Sequence, residues 1–443
     1  MPRNSLKSIR RPAWSGWSFS LGLLVLIHTT ILLADEPLHP HVDLWMTTGE
    51  HVSGPLVGIE SEALTLRVGD RDRHIPHAAV WQIAVAPGPS RPPRPRFWVS
   101  LTNGDRLGVS TVKLAGEALE FQLPFDESWH KLGVEFVTGI QPLRAGTSWR
   151  TDESEWLPVV RQREKSDLVV LRNGDRQTGE VSALGTSSLE LTGSLGKQVL
   201  EWPAVAGLLM NPDLAEVPTM SQEGWVVLLA DDSWLTASSL GTTEEGRLRL
   251  TVVEGLELSM AWANVRWLTH WGAGAVPLSR VPIAEQQHVP LLGETLEVAI
   301  NRNGRGLPLR HDPAARLTDP NSEARPQPAL CPLGLGLSSG MTVRWNLDGK
   351  YRRFHCGFGL DSTAGPEGDA TVTLTVDDRP LQTITLRAGE PVVLETMLDL
   401  TGARSLTIET GYGANADASD WINLYSPTLV DGGHLTNSAT RSD

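Results

Sequence analysis

Leu333-Gly334-Leu335-Gly336, Lys350-Tyr351-Arg352-Arg353-Phe354, Gly359-Leu360-Asp361 and Asp417-Ala418-Ser419-Asp420-Trp421 follow one another across the last third of a 443-residue chain. Between and around them lie short strand-like runs: Met341 to Leu347, Tyr351 to Leu360, Ala370 to Val376, Leu381 to Leu386, Pro391 to Leu398 and Ser405 to Thr410, with Tyr425 to Val430 as the last. Turn signals such as Asp348-Gly349 and Asp377-Asp378 punctuate them. Regular short strands separated by turns predict a β-sandwich, jelly-roll-like, over residues 283–432, with a flexible tail over 433–443. Phe354 and Phe358 alternate with Arg353 and His355, so both phenylalanines are expected in the core. Cys331 and Cys356 flank one hairpin of this region. In an oxidising compartment they would either join in a disulfide, worth roughly 3 kcal/mol in the chain-entropy model, or remain two buried thiols.

In order and spacing these segments resemble the NPCBM family of carbohydrate-binding modules, a β-sandwich found at the ends of secreted bacterial glycosidases. The resemblance implies a carbohydrate or polysaccharide partner. It points to Trp345, Tyr351 and Tyr412 as candidates for the aromatic face against a sugar ring, and to Asp420 as a polar contact. It also implies calcium, held by loop carboxylates with Asp361 and Asp417 as ligands and Asp420 beside them. Trp421, by the same resemblance, is mainly a packing residue. Three positions depart from the family's pattern: Ser338 stands where His is common, Ala418 replaces the His before the final Asp-Trp, and Asp361-Ser362 replaces an acidic pair. The scaffold residues match better than the polar ones.

Upstream, one unit recurs four times. Its clearest copies are Trp98-Val99-Ser100-Leu101-Thr102-Asn103-Gly104-Asp105-Arg106 and Leu168-Val169-Val170-Leu171-Arg172-Asn173-Gly174-Asp175-Arg176. Leu44 to His51 and Trp225 to Ser233 repeat the strand-turn pattern. Asn-Gly tolerates positive φ at both central positions and signals a hairpin. A Leu-x-Leu-like strand and a closing apolar segment follow each turn. The pattern resembles Sm-like and SH3-like small barrels, and predicts β units at 42–86, 96–142, 166–212 and 223–271, strung out or packed together. Breaks at 86–96, 144–166, 212–223 and 272–287 are expected to be linkers.

The whole chain thus reads as all-β: small barrel-like repeats followed by a sandwich. Residues 1–34 have basic residues before an apolar run too short to span a membrane comfortably, and read as a cleaved signal peptide. That implies an exported protein, periplasmic, at the cell surface or extracellular, with no transmembrane helix after cleavage. A net charge of −14 argues against nucleic acid as a partner. No catalytic constellation is expected. Asp231-Asp232 and Glu244-Glu245 lie in turns, and His74-Ile75-Pro76-His77 reads as an exposed loop. The reading is a non-catalytic carbohydrate-binding protein. Its alternatives are a structural protein whose partners are envelope proteins and whose sandwich no longer binds sugar, and a glycosidase.

Overall fold

The computed structural model describes residues 39–87, 93–144, 165–311 and 329–431, apart from short gaps at 195, 219–220, 253–255, 273, 292, 362–363, 365–366, 389, 391–392, 415 and 417–419. The signal segment, Asp417 and the C-terminal tail lie outside the described residues. Among those described there is no α-helix, only strands and 3₁₀ turns, and no helix is long and apolar enough to cross a membrane.

Each repeat is built in one way. The first strand, for example His41–Met46, pairs on one side with the second strand and on the other with the last. A 3₁₀ turn precedes the last strand in every copy, at His77–Ala79, Val134–Phe136, Trp202–Ala204 and Trp262–Asn264. The repeats do not hang as separate beads. Last strand pairs with last strand: Val137–Pro142 with Val205–Leu209, and Val265–Trp271 with Val80–Val85. Trp234 of the fourth unit faces Arg106 of the second across a further ladder. One 16-stranded antiparallel sheet results, with the units in the spatial order third, second, fourth, first. Their inward-facing Leu, Val and Phe side chains form one continuous core.

The turns differ from the expected form. Only the glycine takes positive φ, at 90° in Gly104 and 92° in Gly174; Asn103 and Asn173 do not. The Gly104 N–H donates to Leu101 O and the Leu101 N–H to Asp105 O, which is a three-residue loop with a bulge rather than a two-residue turn. The asparagine caps the loop instead: its Oδ1 accepts the N–H of Asp105, at 3.0 Å. In the fourth unit Asp231 plays this part toward Ser233, and Asp232 adopts the left-handed conformation that glycine holds elsewhere.

The C-terminal region is a two-sheet sandwich. One sheet runs in the order Ala299–Ile300, Gly334–Ser338, Trp421–Asp431, Tyr351–Leu360, Val393–Asp399; the other runs Glu285–His288, Met341–Asn346, Ser405–Tyr412, Asp369–Val376, Arg379–Arg387. Phe354 and Phe358 are fully buried between them, as the alternation predicts. Residues 272–287 are not a spacer. Ala275–Pro277 adds to the first sheet against Trp421–Asp431, and Glu285–His288 adds to the second. The chain therefore passes straight from the last repeat strand into the sandwich.

Two histidine readings are also corrected. His74 lies within a strand, and His77 is buried, edge-on to Trp225 at 5.1 Å. Burial lowers its pKa.

Candidate functional site

Strand ends from both sheets converge at one end of the sandwich. His288 ends the first strand of one sheet. Ser338 ends Gly334–Ser338 of the other, and Trp421 begins the final strand beside it, with Ser338 and Trp421 paired in register. These residues, with Ser339, Asp420 and the loop through Pro290, Glu294 and Leu296, line a cavity of about 280 Å³.

The walls are fixed by their own hydrogen bonds. The Leu296 N–H donates to His288 Nδ1 at 2.8 Å, so Nε2 carries the proton and donates to Ser339 O at 3.2 Å. Tyr412 donates its hydroxyl to Val289 O, tying the loop to the end of its strand. Trp421 lies against the backbone of the Asn301-Arg302-Asn303-Gly304 lead-in. Any side chain at Gly304 would bring its Cβ to 2.5 Å from Trp421 Cε3, so only glycine lets the indole seat there.

Among the described residues, two polar atoms in this cavity have no hydrogen-bond partner. Asp420 is 3 % exposed. Its Oδ1 accepts the Asp369 N–H at 3.1 Å, but Oδ2 makes no hydrogen bond. Ser338, 8 % exposed, has an Oγ with no hydrogen-bond partner. A buried polar atom left unpaired costs about 1–3 kcal/mol, more when charged, so such atoms cluster where a ligand completes them. Burial raises the Asp420 pKa. The Asp369 N–H opposes the rise, the Asp369 carboxylate adds to it, and the more weakly placed Gly413 N–H and Ser339 hydroxyl oppose it. The cavity therefore offers a half-buried indole, one strong acceptor, one hydroxyl and an exposed Glu294 at the rim.

The expected site residues separate. Asp420 lines the cavity, and Tyr412 stands at its edge. Tyr351 does not belong with them. It pairs with Asp431, at the far end of the strand whose other end, Leu360, meets Ile422. Trp345 is fully buried in the sandwich core, so its ring presents no face to a sugar; alternation along Met341–Asn346 points it inward. Asp361 is buried, and its Oδ2 is taken by the amide groups of Asn303 and Asn423, at 3.0 and 2.8 Å. This carboxylate holds the lead-in loop against the final strand. Among the described residues no three His, Cys, Asp or Glu side chains cluster as a metal site.

Cys331 and Cys356 are free thiols. The Cys331 thiol donates to Leu333 O and contacts Ser426 Oγ, while Cys356 donates to Gly357 O, so each already has a backbone acceptor. Burial pushes both thiols above their usual pKa. Asp231 and Asp232 sit in the fourth unit's hairpin turn. Both are buried at the seam between repeats, and Asp232 is bound by Arg266 and Arg310 at 3.0 and 3.2 Å.

The sequence reading missed Trp421 as a wall of the cavity, and missed His288 and Glu294 altogether. It saw Ser338 only as a departure. The orphaned state of Ser338 depends on which strand ends meet, which spacing alone does not show.

Comparison with known proteins finds a family match and several similar solved structures. Residues 331–430 match the NPCBM/NEW2 domain. Similar solved structures include a CBM51 module from Clostridium perfringens GH95 in complex with methyl-galactose, 14 % identical over 35 % of this chain and 99 % of that one, TM-score 0.30. They also include the CBM51-2 and INT domains of Clostridium perfringens ZmpB in complex with GlcNAc, 16 % identical over 44 % and 38 % of the two chains, TM-score 0.30. A third is the ZmpB M60 catalytic domain with both its CBM51 domains, 10 % identical over 86 % and 44 %, TM-score 0.30. Among curated proteins none matches.

Proposed function

We propose that this protein is an exported, non-catalytic carbohydrate-binding protein, and that the cavity at Ser338, Asp420 and Trp421 receives the sugar. The observation that carries the reading is the pair of unpartnered buried atoms, Asp420 Oδ2 and Ser338 Oγ, beside a half-buried indole. A pyranose supplies what they lack: hydroxyl donors for the carboxylate, a hydroxyl acceptor or donor for the serine, and an apolar ring face for Trp421. The NPCBM/NEW2 match over residues 331–430 supports the same assignment. The 16-stranded repeat array serves as the rigid platform that presents the sandwich, and export through residues 1–34 would deliver it to polysaccharide.

A glycan array probed with the full chain, with calcium and with chelator, tests this reading. We expect saturable binding to a restricted set of glycans that drops about tenfold or more in Asp420→Asn, which removes a charged acceptor. Absence of binding under both conditions would refute the proposal. Calcium dependence in the array would add a bound ion to the reading.

A further inference from the structure

A larger cavity lies elsewhere, between the repeat array and the sandwich, and holds about 560 Å³. One wall is the outer face of four adjacent repeat strands, which bring Trp45, Trp81, Trp267, Val226 and Leu228 together. The opposite wall is the outer face of the sandwich sheet, with Arg353, His355, Met397 and Ser426. The two walls are clamped at the side. Trp81 Nε1 donates to Thr428 Oγ1 at 3.3 Å, its ring meets His355 edge-on at 4.3 Å, and Arg353 Nη1 donates to Thr48 O at 2.7 Å. Between these clamps the walls do not close.

Outer faces of sheets normally carry polar residues, yet here three indoles line one cleft. Trp45 and Trp267 stack at 5.6 Å and 23°, Trp267 resting on Leu228, Trp234 and Leu330, and both are only partly buried, so each leaves part of its ring to an apolar platform in the cleft. Met397, 60 % exposed, stands at the mouth. The polar groups of the lining are of both hydrogen-bonding kinds and include Gln82, Thr269, Ser426 and the Arg353 guanidinium. Among the described side chains no Asp or Glu lines the cleft, in a chain of net charge −14, and Arg353 brings a positive charge to it. Asp399 pairs with Arg353 across neighbouring strands, and hydrogen bonds from Thr401, with a smaller pull from the guanidinium, hold its carboxyl below the usual pKa.

We propose that this cleft is a second ligand site, which takes a pyranose residue of a neutral or acidic glycan, its apolar face on the Trp45–Trp267 platform and its hydroxyls toward Gln82, Thr269 and Ser426. A long alkyl chain would leave those polar groups unmatched. The dimensions are those of small-ligand sites, and stacked indoles beside a few polar groups suit a ring with one apolar face and polar edges. The inference rests on the carbohydrate reading only in its choice of probes, because the cleft shares no residue with the cavity at Asp420.

The test is titration calorimetry of the full chain with neutral and uronate-containing oligosaccharides, alongside an aliphatic detergent below its micelle concentration. The variants are Trp45→Ala, Met397→Glu at the exposed mouth, and Asp420→Asn. We expect a binding event that Asp420→Asn leaves intact and that Trp45→Ala weakens about tenfold. Met397→Glu, chosen because an exposed rim residue does not threaten folding, should weaken the acidic oligosaccharides more than the neutral ones. If all sugar binding disappears in Asp420→Asn and neither cleft variant changes it, the second site is overturned while the first stands. If binding survives Asp420→Asn and is lost in the cleft variants, the first reading falls instead. Saturable detergent binding abolished by Trp45→Ala, with no sugar effect, would overturn the glycan assignment.

Discussion

Asp420 and Trp345 show how differently two residues of similar sequence promise end up. Both sit in a region whose motifs resemble a carbohydrate-binding module, and both are candidates for ligand contact. Asp420 ends with one oxygen bonded to backbone and the other unpaired in a cavity. Trp345 ends fully buried between the sheets, opposite Leu406. We therefore expect Trp345→Ala to act on stability. Removing a buried indole should cost about 3–5 kcal/mol, read by chemical denaturation, while any protein that remains folded keeps its affinity for glycan. A loss of affinity with unchanged stability would return Trp345 to the site. Core and site aromatics are hard to tell apart in a sequence because both alternate with polar residues; what separates them is which face of the strand the second sheet covers.

The hairpin turns of the repeats were legible as turns but not as the turns they are. Asn-Gly permits the two-residue form, yet the strands here are joined by a looser loop in which asparagine caps the following N–H and glycine alone is left-handed. This makes a distinction between glycines. Gly174 has φ near 92° with open space around its Cβ position, whereas Gly58, beside a register shift in its strand, has the same open space without positive φ. Gly174→Ala should therefore destabilise by about 1 kcal/mol through backbone strain, and Gly58→Ala should be close to neutral. Thermal melts of the two variants side by side would check it, and equal effects would show that the turn relaxes. In the fourth unit, the left-handed position is filled by Asp232, where glycine would be easier for the backbone. Its carboxylate is instead used by Arg266 and by Arg310 from the sandwich lead-in, a requirement that arises only from the neighbours.

Across the whole molecule, the seam between the second and fourth repeats is held by buried charge. Asp105 accepts hydrogen bonds from the Thr236 N–H and hydroxyl at 2.6 and 2.8 Å, and Arg106 lies over Trp98 and Trp234 at 4.1 and 4.6 Å. Burial pushes the carboxyls of Asp105 and Asp231 up to about 6, against the opposing pull of their hydrogen bonds. The folded state thus holds these protons more tightly than the unfolded chain. Their contribution to stability is fully present below the ordinary carboxylate pKa and is lost as pH rises through about 6. Denaturation midpoints should fall between pH 4 and pH 7 by on the order of 2 kcal/mol per group, and Asp105→Asn should flatten that slope. A slope unchanged in Asp105→Asn would mean that this carboxyl does not titrate in the window. The other two seams, second with third and fourth with first, join the units into one sheet in another way: each repeat leaves its last strand with an open edge, and pairing last strand to last strand closes it.

The sequence by itself determined the all-β character, the four-fold repeat, the sandwich and its inward-facing Phe354 and Phe358, because alternation and turn chemistry are local and each residue reports its own face. Only the tertiary structure decided the order of the repeats in the sheet, the use of residues 272–287 as sandwich strands, the separation of Tyr351 from Asp420, and the cleft lined by Trp45 and Trp267. These depend on which strand edges and which outer faces meet. Such meetings join residues up to hundreds of positions apart, such as Trp81 and Thr428, and the local pattern of either partner is the same whether or not they touch.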